Sequence, residues 1–145
     1  MPTTTHGLTE AAAARAWALA HNTLDPAHLV RLLHKDVRIA SQTVLEEMVG
    51  PDRYLEYLNG TFATFKRTGT EIRIELGETA PYPMAPGAPR PCAIAHRDGH
   101  PEVTVLFQIE EDKIRRIDLC MIPPPQSCKG SGVSPDLDDR ETGGA

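Results

Sequence analysis

Apolar and polar positions alternate most regularly over residues 91–122, PCAIAHRDGHPEVTVLFQIEEDKIRRIDLCMI. Three consecutive antiparallel strands are predicted there. Asp98-Gly99 lies between two alternating runs, and a type I′ turn needs positive φ at both central residues. Closing that turn on Arg97 and His100 pairs Ile94 with Val103 and Cys92 with Val105, so one apolar stripe forms. Val103, Val105, Phe107 and Ile109 then alternate, as do Ile117, Leu119 and Met121. A two-residue loop at Glu111-Asp112 sets these two stripes on opposite faces. A three-residue loop, Glu110-Glu111-Asp112, puts them together and is the expected turn.

Upstream, the period changes to that of helices. Thr9 and Glu10 open a helix to about Asn22, with Ala13, Ala16, Trp17 and Ala20 along one side. Asp25-Pro26 starts a second helix, buried through Leu29, Val30, Leu32 and Leu33 and ending near His34-Lys35. Residues 36–49 alternate twice and read as a strand, a bend near Gln42-Thr43 and a short return strand. Val37, Ile39 and Ser41 share a face there. Pro51 begins a third helix, where Tyr54, Leu55, Leu58, Phe62 and Phe65 recur at helical steps. Gly60 inside it costs about 1 kcal/mol relative to alanine, so a close contact or a break is expected. Residues 71–78 form another strand with Ile72, Ile74 and Leu76 inward.

The prolines of residues 79–91 remove ladder donors, so that stretch reads as a stiff, exposed loop. Beyond Pro123 apolar content nearly vanishes, and ordering such a segment costs more entropy than burial returns. The expected organisation is a flexible lead-in over residues 1–8, one domain over 9–123 and a disordered tail over 124–145.

Charge and composition narrow the function classes. The 145 residues carry a net charge of −5 with no basic run, which argues against a nucleic-acid partner. No apolar run approaches the roughly 18 residues of a membrane span, and the N-terminus lacks a basic leader. Three cysteines, Cys92, Cys120 and Cys128, have no metal spacing and suit a reducing, cytoplasmic setting. Cys92 and Cys120 are expected on opposite faces as inert thiols. His96 and His100 diverge across a hairpin, and His28 and His34 occupy different helix faces, so no metal is expected. Nothing in the chain calls for a cofactor.

Helix, helix, strand pair, helix and four strands make an α+β fold. A curved, mostly antiparallel sheet wraps around the helices, and N-terminal helices precede a C-terminal β-meander. On Trp17, LVRLLHKDVRIAS, GPDRYLEYL and VLFQIEEDKIRRIDL, residues 9–122 resemble the nuclear transport factor 2-like superfamily. That is the cystatin-like cone of SnoaL-like polyketide cyclases and ketosteroid isomerases. The resemblance implies a ligand cavity between the concave sheet face and the helices, and a homodimer through the outer sheet face. It also implies where the chemistry of relatives would fall. The isomerase carboxylate base matches Ser41 here, and its protonated acid matches Val105; neither residue does that work. The acid of the limonene epoxide hydrolases falls near Leu119, and Asp118 is one residue out of phase.

Pleat parity then selects the lining. Ligand contacts are expected from Trp17, Tyr54 and Leu58 on helices, and from Ile39 and Ser41 on the first strand. Ile94, Val105, Phe107 and Leu119 are expected from the meander. His96 and Ser41 are the candidate catalytic groups, since a neutral imidazole acts as acid or base near pH 7. His21 lies four residues after Trp17 and suits either the cavity entrance or a helix-end cap. Only one of Tyr54 and Tyr57 is expected inside. Arg116, Asp118 and Thr104 are the expected dimer contact. Two functions fit: an apolar cone that binds, with or without isomerase- or cyclase-type turnover, an apolar or aromatic small molecule, or a non-catalytic dimeric scaffold.

Overall fold

The computed structural model of the protein describes residues 7–83 and 87–137. Most of the lead-in, the middle of the proline loop and the end of the tail therefore lie outside the described residues. Helix α1 spans Glu10–Thr23, and the Thr9 side chain caps it by accepting from the Ala12 amide at 3.0 Å. α2 is a single turn, Ala27–Val30, and strand β1, Leu33–Ser41, begins sooner than its apolar run suggests. His34 is thus a strand residue rather than a helix end. Pairing decides this, because Leu33 lies opposite Ile114 of a later strand.

β2 covers Val44–Val49, and helix α3 runs unbroken over Pro51–Thr68. Gly60 neither breaks α3 nor meets a neighbour; its missing Cβ faces open space. β3 (Ile72–Glu78), β4 (Pro91–Arg97), β5 (His100–Glu110) and β6 (Lys113–Cys120) follow, with a short β7 at Lys129–Gly130. The seven strands line up as β2-β1-β6-β5-β4-β3-β7. All neighbours are antiparallel except β1 and β6. The sheet curls around α1, which packs on β3, β4 and β5, while α3 lies over β1 and β2. The fold is the expected α+β cone. Small side chains let α1 sit close to the sheet: Ala13, Ala14, Ala18 and Ala20 are all buried.

Two turns depart from the sequence reading. Between β5 and β6 the loop is the two-residue turn Glu111-Asp112, both with positive φ, since Glu110 pairs with Lys113. A bulge between Gln108 and Ile109 of β5 and the facing β6 residues then restores the phase, so Phe107 still opposes Ile117. Between β4 and β5, Arg97 pairs with His100 as expected, but the register slips after His96–Pro101. Ala93 therefore pairs with Val105, and Ala95 with Val103. Ile94 and Cys92 turn to the outer face, which corrects the expected Ile94–Val103 and Cys92–Val105 pairs. Pro101 donates no ladder bond and is the kind of residue that tolerates such a bulge.

The tail is the largest correction. Residues 124–137 fold back across the outer face, through a 3-10 turn at Pro125–Ser127, instead of being disordered. β7 pairs with the β3 edge, the Leu76 amide donates to the Val133 carbonyl at 2.8 Å, and the Ser131 amide donates to the Leu76 carbonyl at 2.9 Å. Asn22 extends the same edge: its amide group donates to the Ile74 and Pro135 carbonyls and accepts from the Ile74 amide. An open strand edge offers a row of unpaired backbone groups, and those bonds substitute for missing apolar burial. Beneath the tail, Cys92, Ile94, Leu106 and Cys120 form a second small core against Cys128. Cys92 and Cys120 thus share a face, contrary to expectation. Thr104 is fully buried there, with Oγ1 3.5 Å from the Cys128 sulfur, and cannot serve as a dimer contact.

Candidate functional site

α1, α3 and the concave sheet face enclose a cavity of about 110 Å³. On α3, Tyr54, Leu58, Thr61 and Phe65 follow one another at helical steps and form its roof. From α1 come Trp17 and His21. The floor is Ile39, Ile74, Ala95, Val103 and Leu119, all on the inward phase of their strands. At the rim, the Arg97 guanidinium lies 5.5 Å from the Phe65 ring and pairs with Glu102 at 3.3 Å.

The closed end is organised by Trp17. Its indole N–H donates to the Tyr54 hydroxyl oxygen at 2.9 Å, both side chains being almost fully buried. Its ring stacks on the His21 imidazole with centroids 3.6 Å apart, and His21 meets Phe62 edge-on. His21 Nδ1 lies 2.9 Å from the Trp17 carbonyl oxygen. A carbonyl only accepts, so Nδ1 carries the proton and Nε2 presents a lone pair. Among the described residues Nε2 has no partner, and neither does the Tyr54 hydroxyl proton. Burial drives the His21 pKa down to about 4, against a smaller opposing effect of the Trp17 carbonyl. The imidazole is therefore neutral at pH 7. Burial likewise pushes the Tyr54 phenol far up, so it keeps its proton.

Of the residues selected by parity, Trp17, Ile39, Tyr54, Leu58 and Leu119 line this cavity. Val105 and Phe107 point inward but are buried in the packed core beside it. Ile94 faces outward because of the β4–β5 slip. Ser41 ends β1 half-exposed, its hydroxyl 3.0 Å from that of Thr43, away from the cavity. His96 touches only the rim. Its Nε2 lies 3.4 Å from Glu75, which also accepts from the Gly132 amide of the tail, so the imidazole is engaged on the outer side. Burial, then the Arg73 charge, holds its pKa below the usual histidine range. Tyr57 joins Tyr54 after all, from the rim and about half exposed, with the two rings stacked at 6.5 Å. His21 lines the cavity rather than capping the helix end, and its four-residue spacing from Trp17 is the sequence signal for it.

Among the described residues, one group carries metal-ligating side chains. His34, Glu110 and Glu111 come together, with Nε2 2.8 Å from Glu111. His34 Nδ1, however, accepts from the Asp36 amide, so Nε2 carries the proton and donates to the carboxylate. At the cavity, Glu102 is the one acid among the described lining residues, and it is paired with Arg97.

No protein-family model matches the chain. No curated protein matches it in sequence. Solved structures do share its fold. A SnoaL-like protein of unknown function from Burkholderia thailandensis E264 aligns with a TM-score of 0.56 at 12% identity, over 79% of this chain and 98% of that one. A protein suggested to be a polyketide cyclase, from Sinorhizobium meliloti, aligns at 0.51 with 17% identity, over 72% and 90%. An NTF2-like protein of unknown function from Cytophaga hutchinsonii ATCC 33406 aligns at 0.51 with 13% identity, over 83% and 97%. At such identities the likeness is one of fold, and chemistry has to come from this chain's own residues.

Proposed function

Because the chain has the nuclear transport factor 2-like cone fold, we propose that it binds a small, largely apolar molecule in the cavity between α1, α3 and the sheet. The observation that carries this reading is a ring-walled, mostly apolar hollow with two polar atoms left unpartnered among the described residues at its closed end. Its volume of about 110 Å³ falls below the ~300–1,000 Å³ of pockets for drug-sized ligands. A single-ring ligand therefore suits it better than a steroid or a fused polyketide. With no free carboxylate among the described lining residues, proton transfer at this site falls to His21 and Tyr54 rather than to His96 or Ser41. Three free thiols support a cytoplasmic setting.

Thermal unfolding tests the binding reading. Toluene at concentrations well above its dissociation constant should raise Tm, because a ligand that binds only the folded state stabilises it. Ala95→Phe, which fills the floor, should abolish that rise. No shift with toluene or any single-ring analogue would remove the proposal.

A second reading has its own observation. The β1–β2 hairpin exposes Val44, Leu45 and Val49, with Met121 also exposed. Nearby, Arg38, Glu47, Arg116 and Asp118 form a balanced network, Arg116 reaching Glu47 at 3.0 Å and Asp118 at 3.0 Å. Such a patch suits a self-complementary homodimer contact on the part of the outer face that the tail leaves open. A monomeric mass by analytical ultracentrifugation would exclude it.

A further inference from the structure

The closed end of the cavity holds two mismatched polar atoms, and their chemistry specifies a ligand more narrowly than volume does. Tyr54 already accepts the Trp17 N–H, so what it has left to give is its own proton. His21 already donates from Nδ1 to the Trp17 carbonyl, so what it has left is the Nε2 lone pair. Among the described residues, one is a donor without an acceptor, the other an acceptor without a donor. Both belong to side chains at least nine-tenths buried, Tyr54 at 2% and His21 at 8% exposure. Both line the same hollow and abut the same indole, one at its N–H edge and the other on its face. Leaving such groups unpaired in apolar surroundings is costly, and a ligand that pairs both recovers that cost.

A hydroxyl is the group that accepts and donates through a single oxygen. A ketone or ether accepts from Tyr54 and leaves Nε2 empty; a hydrocarbon leaves both. The rest of the wall selects the body of the ligand. Trp17, Tyr54 and Phe65 present rings, the floor is aliphatic, and an engineered apolar cavity of roughly 150 Å³ in another protein accepts benzene. Tyr57 stands half-exposed at the rim of the same cavity. A phenol also stays neutral at pH 7, its ordinary pKa being near 10, so no charge is buried.

We propose that the cavity is a site for a monocyclic phenol, whose oxygen accepts from the Tyr54 hydroxyl and whose proton is donated to His21 Nε2. This rests on the reading of the cavity as a ligand site, and the experiment separates the two. Dissociation constants of the full chain for phenol, anisole and toluene are measured by NMR titration. Phenol should bind about tenfold or more tighter than isosteric toluene, with anisole between them. His21→Phe and Tyr54→Phe should each remove most of the phenol preference, read as the ratio of phenol to toluene affinity within the same variant.

Toluene binding as tightly as phenol overturns the phenol assignment and leaves the cavity reading standing, with water then serving the polar pair. Failure of all three ligands overturns both. Should either variant fail to fold, the ranking of the three ligands on the unaltered chain still decides.

Discussion

His21 ties residue chemistry to stability as well as to the site. Its imidazole is neutral in the fold, with pKa about 4, but titrates near 6.5 once unfolded. The unfolded chain therefore takes up the proton first as pH falls. Its contribution is whole above about pH 6.5 and is lost as pH falls through that window toward 4, by about 3 kcal/mol. Its packed neighbours are the uncharged Trp17 and Phe62 rings, and no ionised group enters the shift. His21→Phe should accordingly flatten the pH dependence of unfolding free energy between pH 7 and 4, measured by urea denaturation. Equal slopes in both proteins would show that the imidazole is not desolvated. Sequence spacing put His21 on the Trp17 side of α1, but only coordinates reveal that the ring is stacked and sealed. Ser41 shows the converse: strand phase alone cannot tell where a strand stops being covered.

At the scale of elements, the strands and long helices were legible because burial on one face imposes a strict period. Ile117 and Leu119 face inward and Asp118 outward, as alternation required, even though the turn before them has two residues rather than three. A bulge compensates for the shorter turn, so the parity of the two strands is the same. The β4–β5 slip had no such compensation and carried Ile94 to the wrong side; Pro101 was its only mark in the sequence. The tail was illegible for a different reason. Composition measures apolar burial, whereas residues 129–135 are held by backbone bonds to an edge that exists only after the sheet forms. Gly77 makes room for them: a Cβ there would sit 2.7 Å from the Lys129 carbonyl and 2.8 Å from Ile94. Gly77→Ala should loosen this strap. Amide exchange at Leu76 and Ser131 should accelerate about tenfold or more, with Val105 unaffected. Unchanged protection at Leu76 and Ser131 would mean that the strap is not set by that close approach.

For the molecule as a whole, the curled sheet, the two helices over its concave face and the strap on its outer face divide the work. The strap seals part of the surface that the resemblance assigns to dimer formation. The helices close a hollow whose lining is aromatic and aliphatic except for Thr61, the polar groups of Trp17, His21 and Tyr54, and His96, Arg97 and Glu102 at the rim. Trp17 is the chain's single tryptophan and stands in the cavity wall, so its indole gives one NMR cross-peak that reports on the site directly. Titrating toluene while following that N–H cross-peak tests the central claim. A saturable shift in the unaltered chain, absent in Ala95→Phe, is the predicted result; a cross-peak that moves at no concentration of toluene, anisole or phenol would contradict an open ligand cavity.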